Sequence, residues 1–168
     1  MLRLIRRLVV GFILANIFFA LGTAAAAALT RRRLESVPPP EPADNDLDVN
    51  AIFDGTEFRS EARALRAVRA MAWFGGLELD LRGATVDPRG AQLRLGSLYG
   101  GLDVVIPDDW QVTVRKVGIF GGVDGPDEPA RSSAEPGPAV EISATAVFGG
   151  VSIRRETSAG ALVPAASA

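Results

Sequence analysis

The chain has 168 residues, with 18 Lys and Arg against 20 Asp and Glu, no Cys and no His. That length suits one domain plus appendages, and the missing residue types exclude disulfides, thiol nucleophiles, histidine bases and the usual zinc sites. Residues 1 to 33 carry six Arg and no acid, which leaves 12 basic against 20 acidic side chains in the remainder and argues against a nucleic-acid-binding surface.

The first element in chain order is apolar. Arg3, Arg6 and Arg7 precede residues 8–29, which hold no ionised side chain, and Arg31, Arg32 and Arg33 follow. Twenty-two residues at about 1.5 Å each reach roughly 33 Å as a helix, enough to cross a bilayer core of about 30 Å. The spacing predicts one transmembrane helix over 8–29 that anchors the protein in the lipid bilayer. A cleaved signal peptide is the rival reading, with Ala24 to Ala28 as a small-residue cleavage site; the three arginines that follow weigh against it as a stop to translocation. Three arginines on each flank leave the positive-inside rule balanced.

Residues 34–50 contain Pro38-Pro39-Pro40, Pro42 and acids at Asp44, Asp46 and Asp48, a composition expected of a semi-rigid linker. The alternate acids resemble the start of a calcium loop, but position six is Val49 where such a loop needs glycine.

From residue 51 to 156 one pattern recurs. Ile52-Phe53-Asp54-Gly55, Trp73-Phe74-Gly75-Gly76, Leu98-Tyr99-Gly100-Gly101, Ile119-Phe120-Gly121-Gly122 and Val147-Phe148-Gly149-Gly150 are near-copies, their aromatic residues 21, 25, 21 and 28 positions apart. Alternate residues of a strand share a face. Val68, Ala70, Ala72 and Phe74 are apolar at even positions before the second copy's glycines, and Leu77, Leu79 and Leu81 at odd positions after them. The same flip separates Leu93, Leu95 and Tyr99 from Leu102, Val104 and Ile106, and Val140, Ile142, Ala144 and Ala146 from Val151 and Ile153. Each copy therefore reads as strand, corner, strand. The corner is expected at the glycines, which reach positive φ without steric cost.

Turn chemistry fills the intervals. Asp87-Pro88-Arg89-Gly90 suits a tight turn, and Pro107-Asp108-Asp109 another, with Trp110 closing the apolar interior. Residues 60 to 71 fit both a helical and a strand period; strand is expected over 67–74, preceded by a loop or a short helical turn. Residues 125–138, with four prolines, read as a flexible insertion in the fourth repeat, and 157–168 as a disordered tail.

Catalysis without His or Cys would need carboxylates, a Ser-Lys pair or a metal. Lys116 is expected on an outward strand face, Asp108 and Asp109 in a turn, and Glu78, Asp80 and Asp103 on outer strand faces. The glycine pairs match neither a phosphate-binding loop nor the calcium-binding nonapeptide. No catalytic, cofactor-binding or metal-binding residue is assigned, and no cofactor is expected.

Over residues 51 to 155 the recurrent aromatic-Gly-Gly motif, with the strand running into Ile106-Pro107-Asp108-Asp109-Trp110-Gln111-Val112, resembles the C-terminal domain of the LiaF-like, cell-wall-active antibiotic response family of bacteria. The resemblance implies an all-β fold, a right-handed parallel β-solenoid of the toast-rack type. It also implies a regulator of envelope-stress signalling that meets a membrane sensor kinase, with the solenoid in the cytoplasm. The single span departs from the better-known members, which have several. The alternative is a structural or adhesin-like envelope protein outside the membrane. A stacked fold leaves ends that need covering, and the weakly polar fifth copy suggests a homo-oligomer.

Overall fold

The computed structural model describes residues 2–34, 38–126 and 138–157 and divides into two units, Met1–Pro38 and Pro39–Ala168. The expected insertion falls mostly on 127–137 and the expected tail on 158–168, both outside the described residues.

The first unit is one helix, α1 (Leu2–Leu34), apolar around its circumference over Val9–Ala26, where the mean hydropathy is 2.1. Its polar side chains are satisfied locally: Asn16 Nδ2 donates to the Phe12 carbonyl at 3.0 Å, and Thr23 Oγ1 to that of Phe19 at 2.9 Å. The helix is long and apolar enough to cross a membrane, a test that an N-terminal signal sequence also passes.

The second unit is almost wholly β. Its strands are β1 (Asp46–Ile52), β2 (Gly55–Arg59), β3 (Ala67–Trp73), β4 (Gly76–Asp80), β5 (Ala91–Leu98), β6 (Gly101–Pro107), β7 (Gln111–Ile119), β8 (Gly122–Asp124), β9 (Ala139–Val147) and β10 (Gly150–Glu156). Each repeat places its first strand in one five-stranded parallel sheet, order β1-β3-β5-β9-β7, and its second in another, order β2-β4-β6-β10-β8. The flip in alternation explains this. Val68, Ala70 and Ala72 of β3 and Leu77 and Leu79 of β4 all face one apolar core, which Trp110 also enters at 2% exposure. A single phase carried through the corner would have sent one strand's apolar side chains to solvent.

Repeat order in space differs from repeat order in sequence. The fifth repeat lies between the third and the fourth, so β9 pairs with both β5 and β7, and β10 with both β6 and β8. The fifth repeat, which follows the fourth in sequence, is thus interior, with Val140, Ile142, Ala144 and Ala146 buried.

β1 begins at Asp46, inside the stretch expected to be linker. Asp46, Asp48 and Asn50 are its exposed residues, alternating with buried Leu47, Val49 and Ala51. Acids on the outer face of a strand look like an acidic linker until their apolar neighbours are counted. Elsewhere the expected elements form: residues 60–66 are a loop before β3, and the Gly90 N–H closes its turn on the Asp87 carbonyl at 2.8 Å with Gly90 at φ 97°.

The corners correct one expectation. Positive φ is taken by the aromatic residue and not by the glycine: Phe53, Phe74, Tyr99, Phe120 and Phe148 have φ of 58°, 54°, 53°, 53° and 51°. The left-handed region costs a side-chain-bearing residue about 1–2 kcal/mol. The five rings stack in a continuous ladder with centroids 4.9–5.2 Å apart, and each such pair contributes about 0.5–1.5 kcal/mol, which offsets part of the strain. The ring spacing matches the separation of adjacent strands, about 4.8 Å, so the ladder follows directly from in-register pairing.

The two glycines of a pair have different duties. A Cβ on the first (Gly75, Gly100, Gly149 or Gly121) would lie under 3.0 Å from the backbone carbonyl oxygen of the neighbouring corner. The N–H of the second donates to that same oxygen, as Gly101 does to Gly75 at 3.0 Å and Gly150 to Gly100 at 3.0 Å. Around the second glycines of the first four repeats there is open space.

Candidate functional site

Outward-facing residues fall into rows, because register is one-to-one and most repeats carry a charge at the same offset. On the β2-β4-β6-β10-β8 sheet, Glu57, Glu78, Asp103, Ser152 and Asp124 are consecutive cross-strand partners, giving four acids interrupted by one serine. On the other sheet Arg69, Arg94, Ser143 and Arg115 are consecutive partners, and Asp48 completes the row beside Arg69. One outer face thus carries an acidic row and the other a basic one. Like charges on neighbouring strands cost up to about 1 kcal/mol per pair, and Arg154 of β10 relieves this at Asp103, 3.9 Å away.

Beside the acidic row lies an open groove of about 460 Å³ whose lining includes Glu57, Arg59, Glu78, Asp80, Arg82 and Asp103. An ion-pair network closes one side of it. Arg82 holds Asp80 with both ends of its guanidinium, Nε to Oδ1 at 3.0 Å and Nη2 to Oδ2 at 2.8 Å, and reaches Glu156 at 2.7 Å. Arg59 adds a cross-strand contact to Asp80 at 3.2 Å. The Arg82 hydrogen bond is the main reason the Asp80 carboxyl is pulled down from 3.8 to about 2. Arg89 does the same for Asp87, also to about 2, in the turn before β5. Both groups are charged throughout the physiological range, so neither holds a proton to donate there.

Lys116 departs from its expected outward position. Arg115 is the outward residue of that pair, while Lys116 continues the inward row of Val112 and Val114 and donates from Nζ to the Gly125 carbonyl at 3.1 Å. Asp108 lies in the β6–β7 turn as expected, its N–H donating to the Glu156 carbonyl at 3.0 Å. Glu78 and Asp103 are on the outer face as expected, whereas Asp80 is only 19% exposed and engaged by arginine. Arg155 occupies the last inward position of β10 and donates from Nη1 to the Trp110 carbonyl at 2.9 Å, and burial lowers its pKa.

No family model, curated protein or solved structure matches this chain. Among the described residues no three acids or other ligating groups converge as a metal site would require. The charge rows are the feature that reading the repeats for their apolar phase passed over. Their signal is present in the sequence: Glu57, Glu78, Asp103 and Asp124 each stand two residues after a repeat's second glycine, and Arg69, Arg94 and Arg115 five before its aromatic residue.

Proposed function

We propose that this protein is a membrane-anchored interaction module without chemistry of its own, acting as a regulator in cell-envelope stress signalling. The acidic row is the observation that carries the interaction part of the reading, and the resemblance of the repeats to the LiaF-like family supplies the signalling part. Four acids in one cross-strand row, with Arg154 reaching Asp103 at 3.9 Å, give that sheet a patterned charged face of the kind by which a binding surface selects and orients a protein partner. Engagement of Asp80, Asp87 and Lys116 in internal contacts supports the non-catalytic part.

In this reading α1 spans the bilayer, and the β unit is a parallel β-solenoid of toast-rack type lying in the cytoplasm, where it restrains a membrane sensor kinase. Two linked measurements test it. Asn50→Cys, on the exposed face of β1, is predicted to react with a membrane-impermeant maleimide only after lysis, the chain having no other cysteine. Deleting the gene is predicted to raise the uninduced output of an envelope-stress reporter, with complementation by the wild type and not by a Glu78→Lys, Asp103→Lys variant. Labelling in intact cells would reject the cytoplasmic regulator in favour of a structural module outside the membrane.

A further inference from the structure

The large apolar side chains left exposed on the β unit all lie to one side of it. Among the described residues these are Phe53, Met71, Val117, Ile119 and Phe120, at 38–72% exposure. Phe53 and Phe120 are the outermost rings of the aromatic ladder, and Met71, Val117 and Ile119 stand on the outer face of the β1-β3-β5-β9-β7 sheet. The other sheet has glycine in its first outward row past the corner and acids in its second.

Register sorts the apolar face into rows. Nearest the corner, Ile52, Trp73, Leu98, Val147 and Ile119 are consecutive cross-strand partners. Two residues back, Asn50, Met71, Gly96, Thr145 and Val117 form a second row without charge. Charge begins only in the third, where Arg69, Arg94 and Arg115 are joined by Ser143 and, at the first-repeat end, by Asp48. Asp46 and Glu141 lie one row further from the corner. Five strands about 4.8 Å apart make the uncharged band roughly 24 Å long, and four residues at about 3.3 Å put the arginines roughly 13 Å behind its apolar border. The face thus grades from aromatic and apolar to basic, with no acid in between.

We infer that this corner and face dock on the surface of a lipid bilayer carrying anionic headgroups. Contiguous exposed apolar surface marks a contact, and its make-up here is that of a membrane–water interface, with Trp73 and Tyr99 at the apolar border. The arginines behind them have apolar stems that can lie along the band while their heads meet the headgroups. The same surface repels the acids of the other sheet, so docking has one orientation, with Glu57, Glu78, Asp103 and Asp124 turned to solvent. Residues 35–45 separate Leu34 of α1 from Asp46, at most about 40 Å of chain, so a span by α1 keeps the β unit close to a bilayer. Tethering of this kind makes a contact too small to recruit a free domain sufficient. The inference rests on the reading of α1 as a span and not on the signalling role, and it holds for either leaflet.

The test uses the full chain reconstituted into phosphatidylcholine vesicles with or without phosphatidylglycerol, whose two leaflets are alike. Ile119→Cys and Glu78→Cys, each supplying the one cysteine of its chain, carry a fluorophore that a nitroxide on the lipid quenches on contact. In the anionic vesicles, quenching at position 119 is expected to exceed that at position 78 by roughly fivefold. The excess is expected to shrink at high salt and in an Arg69→Glu, Arg94→Glu, Arg115→Glu background with an unchanged circular dichroism spectrum. Should that background unfold the chain, Arg94→Gln alone gives the same comparison at smaller amplitude. Carbonate extraction separates the two premises. A chain that resists extraction yet is quenched equally at both positions overturns the docking and leaves the span intact, whereas a chain that is extracted rejects the span and the docking with it. A label at position 119 that native membranes shield from an aqueous quencher, but that lipid nitroxides do not reach, gives the face to a protein partner and also overturns the inference.

Discussion

The Gly101 N–H donates to the Gly75 carbonyl at 3.0 Å, and a Cβ at Gly100 would press on that same oxygen. One atom therefore makes two demands on consecutive residues: the first of the pair must lack a side chain, and the second must only supply an amide. Gly100→Ala is predicted to cost about 3 kcal/mol or more, since the neighbouring backbone at Gly75 must move. Gly101→Ala, with open space around it and no positive φ, is predicted to fall within about 1 kcal/mol of the wild type. Denaturant midpoints of the two variants check the contrast, and equal losses would sink the division of labour.

The aromatic ladder predicts a gradient. Phe148 has a stacked ring on both sides, Tyr99 and Phe120, whereas Phe120 has one neighbour and is largely in water. Phe148→Ala is expected to lose about 3 kcal/mol and Phe120→Ala about 1 kcal/mol or less, measured as monomer stability in detergent.

Acid sensitivity follows from Asp80 and Asp87. Each is more acidic in the folded protein, at about 2, than the ordinary 3.8. A depressed folded pKa contributes stability above the unfolded value, and that contribution disappears as pH falls through the folded one. Stability is predicted to decline between about pH 4 and pH 2. Arg82→Met removes the chief cause at Asp80 and is predicted to make the decline shallower, read from urea midpoints across that window.

Asp54 Oδ1 accepts the Gly55 N–H at 2.9 Å, capping the first corner, and this predicts a substitution series at an exposed site. Asp54→Ala leaves the Gly55 N–H to water and is expected to cost about 0.5–1.5 kcal/mol, while Asp54→Asn, which keeps the acceptor, stays near the wild type. Thermal melting of the two variants decides it. A loss in Asp54→Asn equal to that in Asp54→Ala would place the effect elsewhere.

The sequence exposed the strand–corner–strand unit because burial is periodic: Val68 to Ala72 and Leu77 to Leu81 differ in phase, and only a corner with both strands facing one core reconciles them. Which residue bends was hidden, since alternation counts residues and carries no dihedral angle. A glycine pair beside Phe74 suggested the conformationally free residue, yet the constraint at Gly75 is steric contact with the next repeat, a long-range fact. Spatial order was hidden for the same reason. One local sign of it existed: Lys116 sits in the inward phase of its strand, where its equivalent in the fifth repeat is Ala144, and a lysine there marks an end strand. The charges of the rows stand at fixed offsets from the glycines, but only the one-to-one register brings them side by side.

The slot taken by the fifth repeat also sets an order of assembly during synthesis. The first three repeats can pair as they emerge from the ribosome, each new strand finding its neighbour already made. The fourth cannot: β7 and β8 have no strand partners until residues 139–156 have been translated and inserted beside them. A nascent chain halted before β9 would hold a strand with three valines unpaired next to an incomplete sheet, so the fourth repeat reaches its native pairing only after the fifth is made.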